Sequence, residues 1–249
     1  MKKFNKILIF SFVGIIIISS IWFNFFFISK NILNFEKNLF EAGKESDVII
    51  VFNPGGWGTV SLEEAKDFNP IVNEIKKSLE EKDYKVSIVE YHRTNENFLG
   101  KIGSLREIMS NFSKSSKAFA EKIESFINNY PERKIVMAGL SNGASFVDSA
   151  MENLEKRVDG VFSIELGTPF WGKDMQGENT LNLKNEEDIL ARGDIDQLLI
   201  SLIRAPFVWV YDSLKGEKTS FSEAMMITGH EYYWPEVEKE IASFVKEKF

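Results

Sequence analysis

The chain has no cysteine, and among its 249 residues there are only 2 histidines, 6 prolines and 16 glycines. Without cysteine there is no disulfide framework, thiolate nucleophile, zinc knuckle or lipidated thiol, and cysteine usage says nothing about compartment. So few prolines and glycines, with no low-complexity tract, leave no linker that would divide the body into domains. A G-x-G-x-x-G loop, a Walker loop and a histidine-rich metal pattern are all missing, so no cofactor and no metal is implied. Basic charge is also short, with 30 basic residues against 37 acidic ones and a formal charge of −7. Residues 1–29 hold Lys2, Lys3 and Lys6 and no acid, so the remainder carries −10. Such an acidic body argues against nucleic acid as a partner. What the chain does have is 44% hydrophobic and 27% charged residues, enough apolar surface for a full-sized core.

Its first thirty residues stand apart. Between Lys6 and Lys30 no residue is charged, and the 23 positions 7–29 are dominated by Ile, Phe and Val. At about 1.5 Å per residue, a helix of that length crosses a hydrocarbon core of about 30 Å. A cleaved signal peptide has a shorter apolar region followed by small residues. Here the only small pair is Ser19-Ser20, and cutting there would leave Ile21-Trp22-Phe23-Asn24-Phe25-Phe26-Phe27 as an exposed terminus. The run is apolar on every face, which also disfavours a buried core helix. The expectation is an uncleaved anchor, with Lys2, Lys3 and Lys6 in the cytoplasm and Trp22 and the phenylalanines toward the far interface. The chain then divides into a cytoplasmic tail (1–6), a transmembrane signal anchor (7–29), a stalk of mixed charge (30–46) and an extracytoplasmic domain (47–249).

Within that domain strands and helices alternate. Asp47–Phe52, Lys85–Tyr91, Lys134–Gly139, Asp159–Leu166 and Thr180–Lys184 are short apolar runs that read as strands. Helices are expected over Asn69–Lys82, Ser116–Tyr130, Ala144–Leu154 and Pro235–Phe249, where apolar residues recur at helical spacing. Such alternation predicts an α/β fold with a mainly parallel sheet covered by helices on both faces. Ligands in these sheets bind beyond the carboxyl ends of the strands, so the strand-to-helix turns are where chemistry belongs.

One such turn carries a nucleophile signature. After Ile135-Val136-Met137-Ala138 comes Gly139-Leu140-Ser141-Asn142-Gly143, a G-x-S-x-G between a strand and a helix. Two further segments sit at strand ends: Asn53-Pro54-Gly55-Gly56-Trp57-Gly58 and Leu166-Gly167-Thr168-Pro169-Phe170-Trp171-Gly172. Together these resemble the α/β-hydrolase superfamily, and more narrowly its lipase and esterase members, over residues 47–249. The third segment is similar to the G-T-P-H-x-G of many lipases, with Phe170 where histidine is usual. The first is similar to the H-G-x loop that supplies an oxyanion donor, with Asn53 in the histidine's place. The resemblance implies an oxyanion hole from the backbone NH groups of Asn142 and Gly56.

It also orders the triad as serine, acid, histidine, with the histidine just before the last helix. His230, in Thr228-Gly229-His230-Glu231, fits that order, and His92 does not. For the acid, Asn185-Glu186-Glu187-Asp188 is similar to the family's N-x-x-D turn and points to Asp188; Glu186, Glu187, Asp194 and Asp196 are the alternatives. The implied chemistry is acyl transfer through an acyl-enzyme on Ser141, with His230 as base. The expected substrate is a small-molecule or lipid ester. Alternatives are a hydrolase-fold binding protein without turnover, or a serine enzyme acting on thioesters or peptides or transferring acyl groups. Residues 195–227, rich in Leu, Ile, Phe, Trp and Met, read either as a lid or acyl-binding wall or as a helix burying Leu198, Leu199, Leu202 and Ile203.

Overall fold

The computed structural model describes residues 30–154, 158–173, 176–215 and 227–249. The expected membrane span at 7–29 lies outside the described residues, and among these no helix is long and apolar enough to cross a membrane.

Five strands, β1 (Val48–Asn53), β2 (Val86–Glu90), β3 (Lys134–Leu140), β4 (Val161–Leu166) and β5 (Thr180–Leu183), form one sheet in the order β2-β1-β3-β4-β5. Every pairing is parallel, with Val48 opposite both Val86 and Lys134, and Ile135 opposite Val161. All six residues of β1 are buried, as are those of β4. That is why these strands read as unbroken apolar runs: helices cover both of their faces.

The alternation along the strands sorts side chains between two layers. Val48, Ile50, Phe52, Val136 and Ala138 face α2 (Asn69–Glu80) and the last helix, α8 (Trp234–Lys248). Both helices carry proline in the first turn, where its missing N–H costs nothing. Ile49, Val51, Ile135 and Met137 face the other layer, formed by α1 (residues 30–43), α4 (Ser113–Asn129) and α5 (Asn142–Asn153). Here Phe35, Tyr91, Phe119 and Phe146 form one aromatic cluster, with ring centroids 4.7 to 5.5 Å apart.

The segment expected to be a stalk is therefore structural. Ile32, Phe35 and Leu39, at helical spacing on α1, are buried beneath α4 and against the sheet. Burying a side chain of that kind stabilises by roughly 2 kcal/mol. Two helices were not foreseen, α3 (Phe98–Met109) and the short α6 (Ile189–Arg192), and part of the segment 195–227 is a helix, α7 (Ile195–Leu214). On α7, Leu199 and Ile203 are 50% and 67% exposed, so the reading in which they bury a helix face does not hold.

Candidate functional site

Ser141 sits between β3 and α5 with φ 56° and ψ −124°, a conformation that L-residues rarely adopt and that costs on the order of 1–3 kcal/mol. The flanking glycines make the turn possible. A Cβ on Gly139 would stand 2.6 Å from the Gly143 backbone, and one on Gly143 would stand 2.2 Å from the Asn53 carbonyl oxygen. Strand, helix and neighbouring loop therefore approach as closely as bare backbone allows. The turn is pinned by the Ser141 N–H donating to Leu166 O on β4 (2.9 Å) and by Ser145 N–H donating to Ser141 O (3.0 Å). Ser141 itself is 9% exposed.

Beside it runs the loop after β1. A Cβ on Gly55 would be 3.6 Å from the Ser141 Cβ, and the Asn142 side-chain amide donates to Gly56 O at 3.2 Å. The residues expected to carry the oxyanion donors, Asn142 and Gly56, are thus tied to one another next to the serine. From below, the loop after β2 holds this one. Arg93 N–H donates to Gly58 O (2.9 Å), the Thr94 hydroxyl to Trp57 O (2.6 Å) and His92 Nδ1 faces Thr59 O (3.0 Å). The Arg93 guanidinium is fully buried, 5.4 Å from the ring centroids of both Phe112 and Phe146. None of this clamp was foreseen.

Asp188 and His230 meet, with His230 Nδ1 2.8 Å from Asp188 Oδ2. The carboxylate takes four donors: the N–H groups of Leu190 (2.9 Å) and Ala191 (3.0 Å) on Oδ1, and His230 and the Tyr232 hydroxyl (2.9 Å) on Oδ2. Asp188 is the N-cap of α6, which explains why its loop stops where it does. Burial raises its pKa, but His230, the Ala191 N–H and the Tyr232 hydroxyl together outweigh burial and hold the carboxyl below its ordinary range. The Tyr232 hydroxyl oxygen accepts the Asn185 N–H at 3.1 Å, so its own proton is turned onto Asp188. Burial and the Asp188 charge push the Tyr232 hydroxyl well above the usual phenol range. The close approach of the two loops rests on Gly229 (φ 72°), where a Cβ would lie 2.3 Å from the Glu187 carbonyl carbon.

The other acids stay out of this arrangement. Asp194 accepts the backbone N–H (3.2 Å) and side-chain amide (2.8 Å) of Gln197, capping α7, while Glu186 and Glu187 are exposed. Tyr232 is the residue that sequence reasoning missed, since nothing local distinguishes it from a core tyrosine. Phe170 and Trp171, after β4, are 45% and 37% exposed and stack edge-on at the same end of the sheet.

Comparison with known proteins bears on the fold and the family. A solved structure of Trichoderma reesei cutinase in complex with a C11Y4 phosphonate inhibitor matches with a TM-score of 0.50 at 15% identity, over 88% of this chain and 89% of that one; this is a likeness of fold. A search of curated proteins finds no match. The sequence pattern of the cutinase family covers residues 46–191, more than half of the chain and including the serine elbow and Asp188. The chain belongs to the cutinase family of lipase- and esterase-like α/β-hydrolases, and is a serine carboxylic-ester hydrolase.

Proposed function

We propose that the enzyme is a membrane-tethered esterase acting on lipid or other acyl esters, with Ser141 as nucleophile, His230 as base and Asp188 as the acid that orients it. The reading is carried by the buried Asp188 bonded to His230, with the strained backbone of Ser141 on the strand-to-helix turn in support. The ionised carboxylate accepts a hydrogen bond from Nδ1–H, which holds the tautomer whose bare Nε2 takes the Ser141 proton as the hydroxyl attacks the ester carbonyl. The imidazolium then returns that proton to the leaving alkoxide as the acyl-enzyme forms. Water, deprotonated by the same nitrogen, attacks the acyl-enzyme, and the carboxylic acid leaves with Ser141 restored. The backbone N–H groups of Asn142 and Gly56 are assigned to the oxyanion.

A phosphonate of the kind found on the Trichoderma enzyme should label Ser141. Ser141→Ala should lose both labelling and turnover while keeping its unfolding midpoint; labelling that survives the substitution rejects the assignment. A panel of esters of increasing chain length then defines the acyl preference. The anchor at residues 7–29 and an extracytoplasmic catalytic domain belong to the same reading, supported by the lysines before the apolar run and the aromatic residues within it. A reporter fused after Phe249 should be active only outside the cytoplasm, and a cytoplasmic signal rejects that part.

A further inference from the structure

Six exposed apolar side chains of α7 form one stripe. Leu199, Ile200, Ile203, Phe207, Val210 and Leu214 are each at least 50% exposed. At about 100° per residue they fall within a sector of about 100°; Arg204 and Asp212 lie outside it, and Asp196, in the first turn, is the charged residue that falls within it. The helix starts three residues after α6, whose N-cap Asp188 holds His230, so the stripe belongs to the end of the sheet that bears the site. The exposed Trp57, Phe170 and Trp171 stand on loops after β1 and β4, at that same end.

The second observation is where the chain enters the body. In the first turn of α1 the Asn31 amide donates to His92 O at 3.0 Å, and His92 lies two residues past the end of β2. From there α1 descends along the sheet and hands the chain to β1 at the opposite edge. The uncharged run 7–29 thus joins the body at the carboxyl edge, one residue before α1. A bilayer that takes up this run faces the end of the sheet carrying Ser141, and the α7 stripe is of a kind that settles into the headgroup boundary.

We infer that the α7 stripe and the neighbouring loops rest on the bilayer that holds residues 7–29, so that the enzyme draws its ester from the membrane it is tethered to. This rests on the proposed membrane insertion of residues 7–29, and the test separates the two. Because the chain has no cysteine, Ile203→Cys and, at the opposite edge, Glu81→Cys each place a single fluorophore on the full-length protein. The protein is reconstituted in phosphatidylcholine vesicles with and without doxyl-labelled lipid. The label at 203 is expected to shift to the blue and to be quenched severalfold more than the label at 81. Protein that does not float with the vesicles rejects the anchor. Protein that floats while both labels are quenched alike overturns the orientation and leaves the anchor standing. If a bismaleimide joins two copies through position 203 and lipid does not quench the label there, the stripe is a dimer contact and the inference falls. The functional counterpart is the double variant Ile203→Glu, Phe207→Glu, expected to lose at least tenfold on a long-chain ester in the same vesicles and to stay within twofold on a soluble short-chain ester. Unchanged turnover in vesicles overturns the inference. The labelling readout needs no active site, so it decides even if both activities fall.

Discussion

His92 and His230 both follow the carboxyl edge of the sheet, and each places a ring nitrogen on a carboxylate, 2.9 Å from Glu90 and 2.8 Å from Asp188. By distance alone the two pairs are equivalent. They differ in what surrounds them. The Glu90 side chain is 34% exposed and Asp188 is 0% exposed, held by three further donors besides its histidine. His92 also has its other ring nitrogen 3.0 Å from Thr59 O, so both of its nitrogens lie against protein oxygens; the Nε2 of His230 bonds none of the described residues. The comparison teaches that equal histidine–carboxylate distances can hide unequal settings, and that the proposed base is the histidine whose acid is buried and fully satisfied.

The sharpest break in that comparison is removal of each imidazole. His230→Ala should lower kcat on a soluble ester by a factor on the order of 10⁶, as loss of a triad histidine does elsewhere. His92→Ala should remain within about tenfold, its loss being a loosened loop after β1. A silent His92 variant beside an active His230 variant would reverse the assignment.

The carboxylates come next. Asp188→Asn should cut turnover by as much as ~10⁴-fold, because the amide favours the wrong tautomer of His230. Glu90→Gln and Asp194→Asn should each stay within about threefold. Smaller again is Tyr232→Phe, which removes one donor from Asp188 and leaves the Asn185 N–H without its acceptor. One hydrogen bond to a charged group contributes about 1.5 kcal/mol, so kcat should fall about tenfold with KM unchanged. A rise in KM instead would mean that Tyr232 shapes the substrate site and does not steady the acid.

The smallest effect separates stability from catalysis in the clamp around His92. Burial pushes Glu107, near Arg93, up to about 7 from 4.5, with the Arg93 charge opposing. The folded state therefore holds this proton more tightly than the unfolded chain. Its stabilising contribution is complete below pH 4.5 and is lost as the pH rises through about 7. Glu107→Gln should melt with the parent at pH 4 and a few degrees above it at pH 8, where ~1 kcal/mol moves the midpoint by about 2–4 °C. A variant that melts below the parent at pH 8 would show that the Glu107–Arg93 attraction outweighs the burial cost.

The strands and the elbow were legible because their determinants are local. A strand buried on both faces must be apolar throughout, as Val48–Asn53 nearly is, and a serine at φ 56° needs Gly139 and Gly143 beside it whatever else surrounds it. Asp188 was singled out through the likeness of its N-x-x-D turn to the family's, and the structure makes that residue the N-cap of α6. Tyr232 was not, because its role exists only when the Asn185 N–H and Asp188 arrive from another loop. On α1 the apolar spacing of Ile32, Phe35 and Leu39 was present, but the charges between them read as a solvated stalk until the aromatic layer was there to receive that face.

By itself, then, the sequence determined the alternation of elements and the strained serine turn, since each depends on residues within a few positions of one another, while the order of the candidate acid and base along the chain came from the likeness to α/β-hydrolases. Only the tertiary structure decided which histidine has a ring nitrogen without a partner among the described residues, which carboxylate is satisfied by four donors and that the apolar stripe of α7 is exposed. The reason is physical: burial, donor count and exposure are set by whichever distant segments pack there, and the same residues take either role according to those neighbours.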